Sequence, residues 1–225
     1  MSPSWGRKRV CISFGPAAVR AAGHEAPAQP AAPGAVPWQA ALETLQATLG
    51  AWRELRGDAS IVLSSAFVRY AVVAHAGRVS GRHERAALAR AQFEKIHGER
   101  AAQWAVRLGG DGLAAAVDAA LVEALKALFE RTPRLRLVSI QPALMAAYNA
   151  ARGRIPEVGA WLVLAEEERV CIGLLEGPAW RGVSVARDPQ PTPARCGALL
   201  ERERVRMAPA QSDVPVLYLA ATGQA

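Results

Sequence analysis

Residues that could do chemistry are few and scattered in this chain. It has four histidines and three cysteines in 225 residues. No histidine accompanies a Gly-x-Ser-x-Gly turn, so the sequence offers no nucleophile and base of the hydrolase type. Cys11, Cys171 and Cys196 form no Cys-x-x-Cys pair, which argues against a structural zinc site and against a disulfide framework. We therefore predict no metal centre and interpret the histidines as surface residues.

One loop could bind a phosphate through its backbone. Residues 10–20 have the pattern of a strand, a Gly15-Pro16 turn and a returning strand. Such a turn can aim backbone N–H groups at an anion, although Pro16 lacks this donor. A plain β-hairpin accounts for the same pattern. Neither the Gly-x-x-x-x-Gly-Lys-Ser motif nor the Gly-x-Gly-x-x-Gly motif of nucleotide-binding loops is present.

The elements that would position such a loop follow from hydrophobic periodicity and from glycine and proline. Strands are predicted at residues 10–14, 19–22, 60–63, 67–73, 103–108, 135–140, 161–164, 170–175, 180–185 and 214–220. Helices are predicted at residues 38–56, 82–97, 113–131, 143–151 and 193–205, with Gly98 as a helix C-cap. Residues 23–37 have the composition of a proline- and alanine-rich linker. Because hairpins and helical crossovers are mixed, we expect an α/β fold with mixed β-sheets flanked by helices.

The charge balance favours acidic partners. The formal net charge is +7, which suits nucleic acid, anionic lipid or an acidic protein face. The arginines are scattered along the chain and form no block, which argues against nucleic-acid binding. The sequence contains no run of about 18 apolar residues and no signal-peptide core. We therefore expect a cytoplasmic protein that associates with the inner membrane at its surface, if at all.

The predicted hairpin resembles the first phosphate loop of actin-like ATPases in the PilM and GspL families. In PilM proteins this loop runs roughly Ile-Asp-Ile-Gly-x-x-Ser-Val-Lys, and residues 12–15 followed by Val19-Arg20 have the same spacing. The acidic residue with which the family holds its metal is Ser13 here, and serine supplies no negative charge for Mg²⁺. The resemblance thus implies a degenerate first loop. Its positions are Ser13, Phe14, Gly15 and Pro16.

Residues 135–187 resemble the part of the family that carries the second phosphate loop. The Asp-x-Gly expected there is replaced by Ala165-Glu166-Glu167. Carboxylates that face a triphosphate would repel it. The final strand, residues 216–223, resembles the strand that leads to the adenine-binding Gly-Gly loop, of which Gly223 alone is present. The resemblance therefore implies damage to the phosphate, metal and adenine contacts.

From this resemblance we expect an actin-like, ribonuclease H-like fold with two lobes. The first lobe covers residues 1–132 and includes the linker at 23–37, and the second covers residues 133–225 and lacks the family's C-terminal part. The implied function is that of a scaffold without a cofactor and without catalysis. It would act in a type IV pilus or type II secretion-like assembly machine, between inner-membrane assembly proteins and an assembly ATPase.

Two alternatives stay open. The first is a divergent phosphotransferase of the actin and sugar-kinase class, which would need a carboxylate in one of the two loops to position the metal. Asp58, Asp111 and Asp118 lie outside both loops. The second is a basic nucleic-acid-binding protein of the same broad class, whose affinity would fall with rising salt.

Overall fold

The computed structural model describes residues 8–29, 34–73, 81–207 and 214–221. In chain order the first elements are β1 (Arg9–Phe14), β2 (Ala18–Ala21), β3 (His24–Pro27), α1 (Gln39–Ala51), β4 (Gly57–Leu63), β5 (Val68–Val72), α2 (Arg82–His97), β6 (Trp104–Leu108) and β7 (Leu113–Asp118). The remaining elements are α3 (Ala119–Glu130), β8 (Leu135–Pro142), α4 (Ala143–Ala151), β9 (Gly159–Ala165), β10 (Arg169–Glu176), β11 (Ala179–Arg187), α5 (Pro193–Met207) and β12 (Val216–Leu219). Short 3-10 helices, Gly98–Gln103 and Arg152–Arg154, follow α2 and α4. Among these described helices, none combines the length and the apolar character that crossing a bilayer requires.

Residue contacts divide the chain into two compact units. Of the described residues, unit 1 holds those before Val68 together with Ala120–Ala143, and unit 2 holds Val68–Ala119 and the described part of Leu144–Ala221. Both units are therefore discontinuous in sequence. The boundary between residues 132 and 133, which would give two contiguous lobes, stays a prediction.

Unit 1 is built on a five-stranded sheet in the order β3-β2-β1-β4-β8. Strand β1 pairs antiparallel with β2 and parallel with β4, and β4 pairs parallel with β8. Along β1 every second side chain, from Val10 through Ile12 to Phe14, is buried. This alternation arises because successive side chains of a strand point to opposite faces of its sheet. The predicted hairpin at residues 10–22 is confirmed.

Unit 2 contains two sheets. Strands β5, β7 and β6 form an antiparallel sheet in that order, on which α2 packs through the buried Phe93. The second sheet has the order β11-β10-β9-β12, with β12 parallel to β9 and the other pairs antiparallel. Strands β9 and β10 are continuously apolar and buried over most of their length. Helix α5 contributes Cys196 and Leu200 to the core cluster around Trp161.

The predicted helix at residues 113–131 is wrong over its first part. Leu113–Asp118 is strand β7, and α3 begins at Ala119. Alanine has the highest helix propensity, and the run Ala114–Ala116 made the segment fit a helix. A tight turn at residues 109–112 instead places the segment between β5 and β6, where both of its edges are paired. Backbone pairing along two edges outweighs a local preference of this size.

The predicted linker at residues 23–37 is wrong over its first part as well. His24–Pro27 forms β3 at the edge of the unit 1 sheet. An edge strand tolerates Pro27 because the missing N–H need not face a neighbouring strand. Residues 30–33 of this prediction lie outside the described residues.

The other predicted elements are present with shifted ends. Gly98 ends α2 as predicted: its φ is +63°, a value that glycine adopts without strain, and its N–H donates to the carbonyl of Glu94. The α/β architecture with mixed sheets is therefore confirmed, and β3 and β7 are the strands that the periodicity missed.

Candidate functional site

The first predicted loop is the turn between β1 and β2 in unit 1. Ser13 and Phe14 are the last residues of β1, and Gly15 and Pro16 form the turn. The Gly15 N–H donates to the carbonyl of Ala18 at 3.1 Å, which closes the turn. This hydrogen bond engages one of the backbone donors that a phosphate would need.

The side chains around this turn carry no negative charge. Phe14 is 1% exposed and its ring lies 5.4 Å from that of Phe67, measured between centroids. Ser13 is half-buried and lies opposite Arg20 in the register of β1 and β2. Position 13, where the resemblance leads us to expect a metal-binding carboxylate, therefore carries a half-buried hydroxyl, and the neighbouring Phe14 ring is buried.

The second predicted loop joins β9 to β10 in unit 2. Ala165 is the last residue of β9, and Glu166 and Glu167 lie in the turn, which the Glu166 N–H closes by donating to the carbonyl of Arg169 at 2.8 Å. Glu168 forms an ion pair with Arg187 at 3.5 Å. The three carboxylates are thus accompanied by guanidinium groups.

Arginine side chains also crowd one another at this turn. Arg169 lies directly opposite Arg187 in the register of β10 and β11. Burial lowers the pKa of Arg169, and the positive charge of Arg187 lowers it further. Like charges placed opposite each other on paired strands are destabilising. The carboxylates at this turn would repel a triphosphate, whereas the arginine side chains beside them would attract it. The turn therefore carries charges of both signs, and not only the negative charge that we expected.

The predicted site residues do not all fall in one unit. Ser13, Phe14, Gly15 and Pro16 belong to unit 1, whereas Ala165, Glu166 and Glu167 belong to unit 2. Gly223 lies outside the described residues. The residues found in the two described loops are consistent with a degenerate nucleotide site. That these loops do not bind a nucleotide stays a prediction.

Two of the described histidines contact other side chains, whereas His83 is exposed on α2. His24 forms an ion-pair contact with Glu54 at 2.7 Å and stacks on Trp52. His97 packs against the rings of Phe93 and Trp104, which also contact each other. Within the described residues, no group of three or more His, Cys, Asp or Glu side chains is placed to hold a metal ion.

Sequence reasoning missed one cavity, which we call the Trp180 pocket. It has a volume of about 1200 Å³ and lies within unit 2. Its walls are the end of β5, the turn between β6 and β7, one face of α4 with the loop that follows it, and the turn between β10 and β11. Residues used below that line it are Asp111, Met145, Tyr148, Asn149, Arg152 and Trp180.

Trp180 is held in this pocket by hydrogen bonds and by packing. Its indole N–H donates to the Asp111 carboxylate at 3.0 Å, and its backbone N–H donates to the Asp111 carbonyl at 3.1 Å. Its ring lies 5.3 Å from that of Tyr148, and it covers Gly173 so closely that a Cβ there would overlap the ring. Burial raises the pKa of the Tyr148 phenol, and the negative charge of Asp111 raises it further.

A β-bulge in β11 turns Trp180 toward these partners. Leu174 lies opposite Gly182 and Leu175 lies opposite Trp180, so Arg181 is an extra residue on β11. Bulges bend a strand, increase its twist and redirect side chains, and they occur often beside functional sites. Arg181 forms an ion pair with Glu176 across the bulge.

One sequence signal for the pocket did exist. Met145, Tyr148, Asn149 and Arg152 follow the i, i+3, i+4, i+7 spacing of one helical face, and this face mixes apolar and polar side chains. A core-facing stripe would be uniformly apolar. The segments that complete the pocket lie far from α4 in sequence, so the spacing alone does not indicate a cavity.

Comparison with known proteins identifies the fold. No protein-family model matches the chain, and no curated protein matches it in sequence. Solved structures do match. A Bacteroides thetaiotaomicron protein with an actin-like ATPase fold and unknown function superposes with a TM-score of 0.58 at 10% identity, over 93% of this chain and 80% of that one.

Two further structures come from envelope assembly machines. The cytoplasmic domain of EpsL, an inner-membrane component of the type II secretion system of Vibrio cholerae, gives a TM-score of 0.55 at 11% identity, over 94% of this chain and 82% of that one. The PilM–PilN type IV pilus biogenesis complex gives 0.56 at 19% identity, over 80% of this chain and 62% of that one. The predicted actin-like fold is confirmed.

Proposed function

We propose that this chain is a non-catalytic, cytoplasmic adaptor of a type IV pilus or type II secretion-like assembly machine, positioned at the inner membrane. The fold that it shares with the EpsL cytoplasmic domain and with PilM supports this assignment. In such a role the chain would bind inner-membrane assembly proteins and an assembly ATPase, and it would need no cofactor.

The non-catalytic part of the proposal depends mainly on one observation, the presence of serine at position 13. It stands at the end of β1, where the resemblance to actin-like ATPases leads us to expect an acidic residue that holds the metal and its waters. Phosphoryl transfer depends on metal positioning and on neutralisation of developing charge. A serine hydroxyl can ligate Mg²⁺, but it supplies none of the negative charge with which a carboxylate holds the ion. The replacement of the family's Asp-x-Gly by Ala165-Glu166-Glu167 supports the same conclusion for the second loop.

A phosphotransferase is a weaker alternative because the aspartates available to it are engaged elsewhere. Asp58 accepts two hydrogen bonds of 3.0 Å from the guanidinium of Arg136. Asp111 accepts the indole N–H of Trp180. Neither lies in the β1–β2 turn or in the β9–β10 turn, where a metal-positioning carboxylate would be needed.

Nucleic-acid binding is also less well supported, because several arginines are paired with carboxylates. Arg20, Arg136 and Arg195 form ion pairs of 2.7 to 3.0 Å with Glu25, Asp58 and Asp188. Arg206 pairs with the buried Glu203 of the same helix. These pairs reduce the positive field that would attract a phosphate backbone.

Calorimetric titration of the purified chain with ATP and Mg²⁺ tests the non-catalytic assignment. We expect no binding tighter than about 1 mM, which corresponds to a binding free energy of only about −4 kcal/mol. Binding in the micromolar range, or turnover of ATP, would overturn it. The adaptor role is tested by cross-linking in cells: the expected products are inner-membrane assembly proteins, and products confined to ribosomal or metabolic proteins would contradict it.

A further inference from the structure

We propose that the Trp180 pocket binds a short extended segment of a partner protein, with an apolar side chain inside the pocket and one acidic residue at Arg152. The inference rests on the proposed function, since it names the chemistry of a partner that an adaptor would hold. The inference depends on the volume of the pocket, on the apolar side chains of its walls and on which of its charged side chains already have a partner.

The size of the pocket favours a peptide over a small metabolite. Its volume of about 1200 Å³ exceeds the range of about 300–1,000 Å³ that is usual for drug-sized ligands. Asn149, Arg152 and Ala179 on its walls are exposed, so the pocket is open to solvent at these residues. A peptide could therefore cross the opening with one side chain inserted.

The interior suits an apolar side chain. Leu175 and Trp180 are 1% and 2% exposed, and Met145 and Ile155 contribute further apolar surface from α4 and from the loop after it. Walls that are fixed before binding favour association, because little conformational entropy is lost when the partner arrives. Trp180 is fixed by Asp111 and by close packing on Gly173.

Arg152 supplies the charge selectivity. Within the described part of the chain, no carboxylate oxygen lies close enough to the Arg152 guanidinium, 4.0 Å or less, to form an ion pair with it. Two of the other charged groups on the walls have partners: Arg181 pairs with Glu176, and the Asp111 carboxylate accepts from Trp180. A guanidinium at the edge of an apolar pocket matches a carboxylate, which it can bind through two parallel hydrogen bonds.

Glu157 limits the partner to a single acidic residue. Its side chain is exposed and also lines the pocket, so a run of acidic residues would place like charges together. The same argument disfavours a lipid surface or a nucleic acid, both of which present rows of phosphates. The partner that fits is a protein segment with one Asp or Glu beside an aliphatic or aromatic residue.

Selection of random short peptides displayed on phage, against the purified full chain, tests this inference. We expect the enriched sequences to share an apolar residue next to one acidic residue. A synthetic peptide with the enriched sequence is then measured by fluorescence anisotropy. Replacement of its acidic residue by the matching amide should weaken binding by about tenfold, the loss expected for one charge-assisted contact.

Two matched pairs of substitutions locate the bound peptide. Arg152→Glu should weaken binding by about tenfold or more, whereas Arg154→Glu, exposed on the same 3-10 helix but not part of the pocket walls, should leave it within about twofold. Asn149→Trp should fill the pocket and abolish binding, whereas Ala150→Trp, exposed at the next position and outside the walls, should not. Urea unfolding checks that each variant is folded.

Three results would overturn the inference: no enriched peptide, enriched peptides without an acidic residue, or equal loss of binding in the pocket and control variants. The amide substitution in the peptide needs no protein variant, so it remains decisive if one of the variants is unstable. These results would leave the adaptor proposal standing, because a partner could bind another surface. Micromolar ATP binding would overturn the non-catalytic proposal without affecting the pocket.

Discussion

The two ends of strand β10 differ in the way they are held together. At its start, the turn at Glu166–Glu168 is half-buried, charged and linked by ion pairs of exposed side chains. At its end, the turn at Glu176–Pro178 leads into Trp180, which is buried and hydrogen-bonded to Asp111. The strand has eight residues, so the two ends lie about 25 Å apart at about 3.3 Å per residue.

This difference shows where the chain retains an organised surface. Exposed ion pairs contribute little free energy and impose little geometry. A buried aromatic ring with a hydrogen-bonded edge fixes the surrounding backbone. The pocket that we propose as a binding site lies at the end of β10, opposite the turn that resembles the second phosphate loop.

The largest effect is expected at Trp180. Trp180→Ala should lower the free energy of unfolding by about 3–5 kcal/mol, because it removes a buried aromatic side chain and leaves a cavity beside Tyr148. Urea denaturation measures this change. Glu168→Ala at the opposite end serves as the comparison, with an expected change within about 0.5 kcal/mol. Similar losses at both ends would contradict the contrast that we draw.

The next effect tests the hydrogen bond between Trp180 and Asp111. Asp111→Ala should cost about 1–3 kcal/mol in unfolding free energy, because it leaves the indole N–H of Trp180 without its acceptor. Asp111→Asn retains an acceptor oxygen at the same place and should cost less. If the two variants unfold at the same urea concentration, the hydrogen bond is not what stabilises this turn.

A pH effect is expected at Tyr148. Burial, then the charge of Asp111, raise the pKa of its phenol above the ordinary value of about 10, whereas Arg152 lowers it. At pH values between the unfolded and the folded pKa, the phenol is therefore protonated in the folded state and deprotonated in the unfolded state. The contribution to stability is complete below about pH 10 and is lost as the pH rises through the higher folded pKa.

Tyr148→Phe removes this titration, so the unfolding free energy of the variant should fall less between about pH 9 and pH 11 than that of the unsubstituted chain. Urea denaturation at several alkaline pH values measures the difference. Tyr218→Phe, at a tyrosine that is 57% exposed, is the control and should leave the pH profile unchanged. If the unfolding free energy of Tyr148→Phe changes with pH in the same way as that of the unsubstituted chain, the phenol has the same pKa in the folded and unfolded states, and the prediction is wrong.

The smallest effect is expected at the charged end of β10. Arg187→Gln removes the ion pair with Glu168 and also the repulsion with Arg169, which lies opposite. These changes oppose each other, so we expect a net change within about 0.5 kcal/mol. Urea denaturation at low and at high salt measures it. A loss above about 2 kcal/mol would show that this end is organised more tightly than its exposure indicates.

Much of the architecture could be predicted from the sequence where pattern and tertiary structure agree. The alternation of Val10, Ile12 and Phe14 identified β1, and the glycine at position 98 identified the end of α2. Prediction failed at residues 113–118 because alanine favours a helix locally, whereas β7 pairs along one edge with β6, which precedes it, and along the other with β5, which is distant in sequence. It failed at His24–Pro27 because proline content concealed an edge strand.

The candidate sites show the same division. The positions of Ser13 and of Ala165–Glu167 at strand ends followed from the sequence pattern and from the resemblance. The guanidinium groups around the β9–β10 turn did not follow, because the pairing register of β10 and β11 brings Arg187 opposite Arg169. The pairing register depends on the whole β10–β11 hairpin, including its bulge. No local sequence motif predicted that bulge.

The sequence by itself determined the alternation of strands and helices, the actin-like resemblance and the absence of an acidic residue at position 13, because these depend on residue type and on short spacing. The tertiary structure alone decided which end of β10 holds a pocket. Asp111, Tyr148 and Trp180 are more than 30 residues apart along the chain, and a cavity forms only where the segments that carry them pack together. Packing of distant segments is the physical reason that the pocket could not be read from composition, periodicity or motif.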